Sequence, residues 1–283
     1  MQTHIKILEI DPTFEPLRFR TPLKFGTGLI TKITLMTVRA RAQNRGGKVA
    51  DGWGAILLSD LWAWPGERLT HSERDLAMRQ LGQQCCSLLA ETKQYAHPID
   101  IYVERKSDLL ALAKNVTQEL HLAEPINDLT VLMCAGPVDA AIHDAFGRVN
   151  GISSYDGYGP EHMSHDLSFY LGSNFAGKYI SNYLRRNFQP QLPIFHLVGG
   201  VDKLRDEEVD DADPDDGLPV SLTQWIAREE VYCLKVKLRG NDLTWDVERT
   251  ISVYRVAAQA LITHGLEHSP RLSVDSNEMC PNP

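Results

Sequence analysis

Apolar and polar positions alternate along the first sixty residues and then fall into helical spacing, so the chain begins with strands and continues with helices. Ile5 to Ile10 reads as a first strand, and Thr31 to Gln43 alternates as a half-buried strand does. Asn44-Arg45-Gly46-Gly47 turns the chain into a second hairpin arm ending near Ser59. Ser72 then opens a helical pattern, with Glu73 and Asp75 in its first turn and Leu76, Leu81, Cys85, Leu88 and Leu89 recurring along it. Further helices are predicted from about Pro98 to Leu122 and from Asp128 to Val149, with Pro137 breaking or kinking the last and Gly151 ending it.

The pattern changes again after Pro190 and Pro193. Ile194 to Val198 and Val231 to Leu238 are short apolar, β-branched runs that read as buried strands. Between the second of these and the next strand, Asn241-Asp242 offers a helix start and Gly265 a stop. Trp245, Val247, Ile251, Tyr254, Ala258, Leu261 and Ile262 recur near helical spacing between them. Arg271 to Asp275 reads as a strand ending in a carboxylate, so the segment is a βαβ unit with parallel strands. The predicted organisation is an α+β domain over residues 1–150, a connecting segment over 151–192, and the first strands and helices of an incomplete α/β barrel over 193–283. No internal repeat interrupts it.

Chemistry enters at the strand ends. Side chains alternate along a strand, so Lys235 and Lys237 share one face while Leu234, Val236 and Leu238 take the other. Asp275 closes the neighbouring strand, at the end where such units carry functional groups. Two lysines and a carboxylate so disposed suit metal-assisted removal of a proton beside a carboxylate, because the enolate-like intermediate requires a cation and carboxylates hold divalent metals. A lysine of ordinary pKa, ~10.4, is protonated at neutral pH. A second ammonium two residues away, together with the metal, favours its neutral form and would bring it toward the useful range of ~7 to 8. Lys237 is thus the expected base, with Lys235 tuning it and holding the substrate carboxylate. The plainer alternative is a pair of lysines edging an exposed strand, with Asp275 capping a turn.

The stretch from Leu234 to Asn277 resembles the second and third barrel strands of the enolase superfamily, in its mandelate racemase and muconate lactonizing enzyme branch, with its Lys-x-Lys and Asp-x-Asn motifs. Arg20-Thr-Pro-Leu-Lys24-Phe-Gly26, the strand pair through Val38-Arg39 and Gly52-Trp53-Gly54, and the helical Pro137 to Gly147 are similar to that branch's amino-terminal capping domain. The resemblance implies that Lys237 is the general base, that Lys235 contacts the substrate carboxylate, and that Asp275 is the first of three carboxylate ligands to an essential Mg2+. Asn277 matches a supporting polar position near the metal. Arg20, Lys24 and Trp53 fall where capping-domain loops close over substrate, as do Trp62 and Trp64; the alternative is tryptophans in the core and cations at the surface. The implied outcome is dehydration of an acid sugar, or racemisation or cycloisomerisation of a carboxylic acid. The complete enzyme would be a homo-oligomer.

The resemblance also implies two further carboxylates on later strands, and after Asp275 only Glu278 follows. The 91 residues from Pro193 to Pro283 hold about three strands, whereas an eight-stranded barrel typically needs about 250 residues. The expectation is therefore a partial form of a longer enzyme, inactive by itself, or a subunit completed by another chain. Two other classes stay open: a barrel lysine forming a Schiff base with a carbonyl substrate, and a non-catalytic fragment or interaction protein.

Composition changes this picture little. The chain has 283 residues, 43% of them hydrophobic, enough for two cores, and a net charge of -8 that argues against a general nucleic-acid binder. No membrane segment and no signal-peptide form is read, and five cysteines without zinc spacing are expected as reduced thiols in a cytoplasmic protein. Asp206 to Asp216 holds eight acidic residues in eleven but lacks the ligand spacing of a calcium loop, and with Pro214 and Gly217 it is expected as a solvated loop. Gly199-Gly200 reads as a tight turn rather than a phosphate cradle. His143 and Asp144 are expected to be structural.

Overall fold

Alternation in the first sixty residues produces a three-stranded sheet of order β1-β2-β3, formed by β1 (Ile5–Phe25), β2 (Gly28–Asn44) and β3 (Val49–Leu57). The computed structural model describes residues 1–25, 28–185 and 187–276, without the side chains of Lys24 and Phe25. β2 and β3 pair antiparallel from Leu35↔Leu57 to Gln43↔Val49 around the Asn44–Gly47 turn, where Gly47 adopts φ +82°. β1 runs well past Ile10. It carries Pro12, Pro16 and Pro22 because it is an edge strand, where a missing N–H is tolerated.

Four helices follow: α1 (Asp60–Ala63), α2 (His71–Ala90), α3 (Pro98–Glu119) and α4 (Asp128–Asn150). The start of α2 falls at Thr70 rather than Ser72, because Thr70 and Glu73 form a reciprocal capping box. α3 is capped by the His97 ring, whose Nδ1 accepts from the Ile99 N–H at 3.2 Å. α4 runs unbroken through Pro137 and ends on Gly151 in the left-handed conformation. Packing outweighs the lost backbone bond here: a Cβ on Gly54 would lie 2.1 Å from the Pro137 carbonyl oxygen, and one on Gly52 would lie 2.0 Å from the Ala145 nitrogen. β3 and α4 thus meet backbone to backbone. Although α4 is long and apolar enough to cross a membrane, 61% of its most apolar window is buried in this core, against Met36, Val38, Met78 and Leu81. Beneath it a buried Asp60–Arg74 ion pair, 2.9 Å long, ties α1 to α2. α5 (Leu167–Leu171) follows in the same unit, which comprises Met1–Leu17 and Ile33–Phe188.

The second unit comprises Arg18–Lys32 and Gln189–Pro283. Its parallel sheet has the order β4-β5-β6, from β4 (Phe195–Val198), β5 (Cys233–Lys237) and β6 (Arg271–Asp275), with α6 (Leu222–Glu229) and α7 (Leu243–Thr263) in the crossovers. Val198, Leu234 and Val236 bury one sheet face against Ile226, Val253, Ala257 and Leu261 of those helices. α6 begins with a Ser221/Gln224 capping box, and α7 with the Asp242 side chain accepting from the Trp245 N–H.

The acidic segment is exposed but tied down. Lys203 bonds Asp210 at 2.9 Å and Asp213 at 2.6 Å, and Arg20 makes a two-pronged contact with Asp216 at 2.6 and 2.7 Å. Asp206 accepts from the Ser221 and Thr223 hydroxyls, both at 2.5 Å. The Arg20 guanidinium holds the Asp216 carboxyl down at about 2, well below its ordinary value. The segment is exposed, as expected of a solvated loop, and five of its eight acidic residues, Asp206, Glu208, Asp210, Asp213 and Asp216, accept from a specific donor.

Candidate active site

The face of the second sheet that the helices leave uncovered carries the candidate chemistry. Parallel pairing sets Leu197 beside Lys235 and Ser273 beside Lys235 on its other side, then Lys237 beside Asp275. Residues in register point the same way, so both lysines and the carboxylate meet. The Lys237 Nζ lies 2.7 Å from Asp275 Oδ2 and the Lys235 Nζ 2.8 Å from the same oxygen. Exposure of the three side chains is 13% for Lys237, 28% for Asp275 and 41% for Lys235, which makes Lys237 the most enclosed ammonium of the trio. Both ammoniums approach one carboxylate oxygen, which lies between them.

The backbone fixes this geometry. The Leu238 N–H donates to the Asp275 carbonyl oxygen at 2.9 Å, extending the ladder one step beyond β5. The next two amides, Arg239 and Gly240, donate to Asp246 Oδ1 and Oδ2 at 2.7 and 2.9 Å. Asp246 was not singled out from the sequence, and the only signal there was an acidic residue in the first turn of a helix. Ser273 and Leu197 were likewise missed, although alternation back from Asp275 and along β4 points to them.

The remaining candidates are placed as follows. Arg20 belongs to the second unit, and its donors reach Asp216 and the carbonyl oxygens of Leu218 and Pro219, at 2.9 and 3.0 Å for the latter two. Its guanidinium is thus engaged by the acidic segment. The Lys24 side chain and Asn277 lie outside the described residues, as do Glu278 and Cys280. Trp53 belongs to the first unit, 52% exposed on β3, and its backbone N–H donates to Asp144 Oδ2 at 2.9 Å. Trp62 is 48% exposed and Trp64 is buried. His143 is half of a partly buried polar pair: its Nδ1 lies 2.9 Å from the Tyr158 hydroxyl, and desolvation lowers its pKa to about 4. Cys85, Cys86, Cys134 and Cys233 are buried free thiols.

For a hard divalent cation, Asp275 is the fitting ligand on this face, since Mg2+ takes oxygen and commonly uses one or two carboxylates together with substrate. No cluster of three or more His, Cys, Asp or Glu side chains occurs among the described residues.

The architecture is an α+β capping domain followed by the first strands and helices of an α/β barrel. It is the fold of the amino-terminal half of enolase-superfamily proteins of the mandelate racemase and muconate lactonizing enzyme kind. An enolase from Bradyrhizobium, solved with magnesium and mandelic acid, matches with a TM-score of 0.50 at 14% identity, over 99% of this chain and 56% of that one. A mandelate racemase/muconate lactonizing enzyme-like protein from Rubrobacter xylanophilus matches with a TM-score of 0.51 at 16% identity, over 97% and 54%. L-talarate/galactarate dehydratase from Salmonella typhimurium LT2, liganded with Mg and L-lyxarohydroxamate, matches with a TM-score of 0.51 at 13% identity, over 98% and 53%. The chain spans about half the length of the solved structures it matches. No protein-family model matches the sequence, and no curated protein is significantly similar to it.

Proposed function

We propose that this chain carries the proton-abstracting wall of a magnesium-dependent enzyme acting on the carbon beside a carboxylate. The convergence of Lys235, Lys237 and Asp275 on one open sheet face carries the reading. Asp275 would hold the metal, which when bound supplies positive charge to a developing enolate. Lys237, the more enclosed of the two, takes the proton at its Nζ from its neutral form, its own ammonium proton having first passed to solvent. Lys235 orients the substrate carboxylate through its ammonium. Both ammoniums share Asp275 Oδ2 in this structure, so they would have to release that oxygen before Asp275 could hold a metal. The dehydration of acid sugars and the racemisation of carboxylic acids are the favoured outcomes, because the matched structures include an acid-sugar dehydratase and a protein holding mandelic acid.

The test is exchange of the α-proton for deuterium in heavy water, with acid sugars and mandelate as substrates, on the protein carrying this chain. Magnesium-dependent exchange that Lys237→Ala abolishes, while metal binding is kept, is the expected result. Exchange at the wild-type rate in Lys237→Ala refutes the assignment of the base. Exchange that needs no metal but is trapped by borohydride favours the Schiff-base alternative.

A further inference from the structure

We propose that Asp246 and Arg249, one turn apart on α7, form a clamp on the loops that leave β5 and β4, and that Asp246 is the positioning residue for Lys237. Asp246 is 8% exposed, and both of its carboxylate oxygens are used on consecutive backbone amides, those of Arg239 and Gly240. These are the second and third residues after Lys237. Between them and Lys237, Leu238 is tied to β6 through its bond to the Asp275 carbonyl. The chain leaving β5 is therefore gripped by the neighbouring strand and then by the helix, which leaves the Lys237 Cα little freedom to move.

Arg249 does the complementary work on the adjoining loop. Its Nη2 donates to the carbonyl oxygens of Gly199 at 2.6 Å and Asp202 at 2.9 Å. Asp202 in turn accepts the Gly199 N–H at 2.7 Å, which closes the turn upon itself. A carboxylate reads donors and a guanidinium reads acceptors, so one helix face fixes two loops by opposite chemistry. Asp246 is suited to its half of the task because it lies in the first turn of α7, where a negative charge is favoured by the helix dipole. Gly240 adopts φ +76°, and this left-handed turn aims its N–H and that of Arg239 at one carboxylate.

The idea rests on the reading above only in taking Lys237 as the base, and its test requires no substrate. Amide hydrogen exchange at Arg239 and Gly240, and the pH profile of acylation at the Lys237 amine, are measured in wild type, Asp246→Asn and Asp246→Glu. Leu261→Ala is the control: Leu261 is 1% exposed in the same core and takes no part in the clamp, so it loosens the unit without touching either loop. The expected result is exchange at both amides about tenfold faster or more in Asp246→Asn, with an altered Lys237 acylation profile. A smaller change of the same sign is expected in Asp246→Glu, which keeps the charge and covers the case of an unfolded Asn variant. Leu261→Ala should lower the melting temperature and leave the acylation profile as in wild type. If the Asp246 variants change the profile no more than Leu261→Ala does, the positioning role is overturned and Asp246 is a structural cap. If α-proton exchange is absent while the profile shifts as described, the clamp stands and the proposed function fails.

Discussion

Acid should weaken the first unit through His97, and the structure bounds by how much. The ring is fully buried, its Nε2 donates to the Gly157 carbonyl at 3.1 Å and its Nδ1 accepts from the Ile99 N–H. Both nitrogens are satisfied only in the neutral form. Protonation of Nδ1 would set two donors against each other and remove the cap of α3. Burial accordingly pulls the pKa down to about 4, with the Gly157 carbonyl opposing in part. Because the folded value lies below the unfolded one, the unfolded chain binds the extra proton between about pH 6.5 and 4. Stability is present above that window and is lost as pH falls through it. Each step of one in pKa is worth about 1.4 kcal/mol, so the effect is bounded at about 3 kcal/mol, most of it gone by pH 4.5. His143 acts in the same direction, while Asp139, raised by burial to about 6, acts in the opposite one. A variant isolates the His97 contribution. His97→Asn keeps a good capping acceptor but cannot titrate, so urea unfolding from pH 7.5 to 4.5 should show wild type losing about 2 to 3 kcal/mol more than the variant. Parallel stability curves for the two proteins would refute the argument.

Gly54→Ala should destabilise the first unit by about 3 kcal/mol or more, since its Cβ meets the backbone of α4 rather than a side chain that can move; thermal unfolding followed by circular dichroism checks this. Arg20→Ala should release the acidic segment and speed proteolysis between residues 206 and 217, as read by mass spectrometry, while Arg148→Ala in the first unit should not. Cys85 and Cys86, whose thiols burial pushes up to about 12, should resist a thiol reagent at pH 8 until urea unfolds the chain. Asp275→Asn should lower magnesium affinity in a calorimetric titration, and unchanged affinity would move any metal elsewhere.

Period alone was enough to find β2, β3, β5, β6 and the four long helices α2, α3, α4 and α7, because each has an apolar face whose spacing survives in the sequence. β1 was cut short at Ile10 since Pro12 and Pro16 carry the chemistry of a stop, and nothing local says that the strand lies on an edge. Pro137 misled for a similar reason: the glycines that let α4 sit against β3 lie more than eighty residues earlier. In the site, Lys235, Lys237 and Asp275 were legible because a parallel ladder turns strand position directly into proximity. The partner of Arg20 was not, being 196 residues away. Asp246 was hidden by its purpose. It bonds amides, which every residue has, so no complementary side chain marks it.

The pairing of Lys237 with Asp275 has a consequence for how the protein folds. These residues are neighbours across a parallel ladder, and β6 can dock on β5 in other registers that make as many backbone bonds. A slip of one residue, however, would send Asp275 toward the helices and Val274 to the lysines. The two ammoniums then gain their shared counter-charge only when β6 arrives in one particular register, after α7 has been traversed. That contact therefore favours one register of assembly: a slipped sheet parts the carboxylate from both lysines, and the same three side chains proposed for chemistry favour the arrangement in which chemistry is possible.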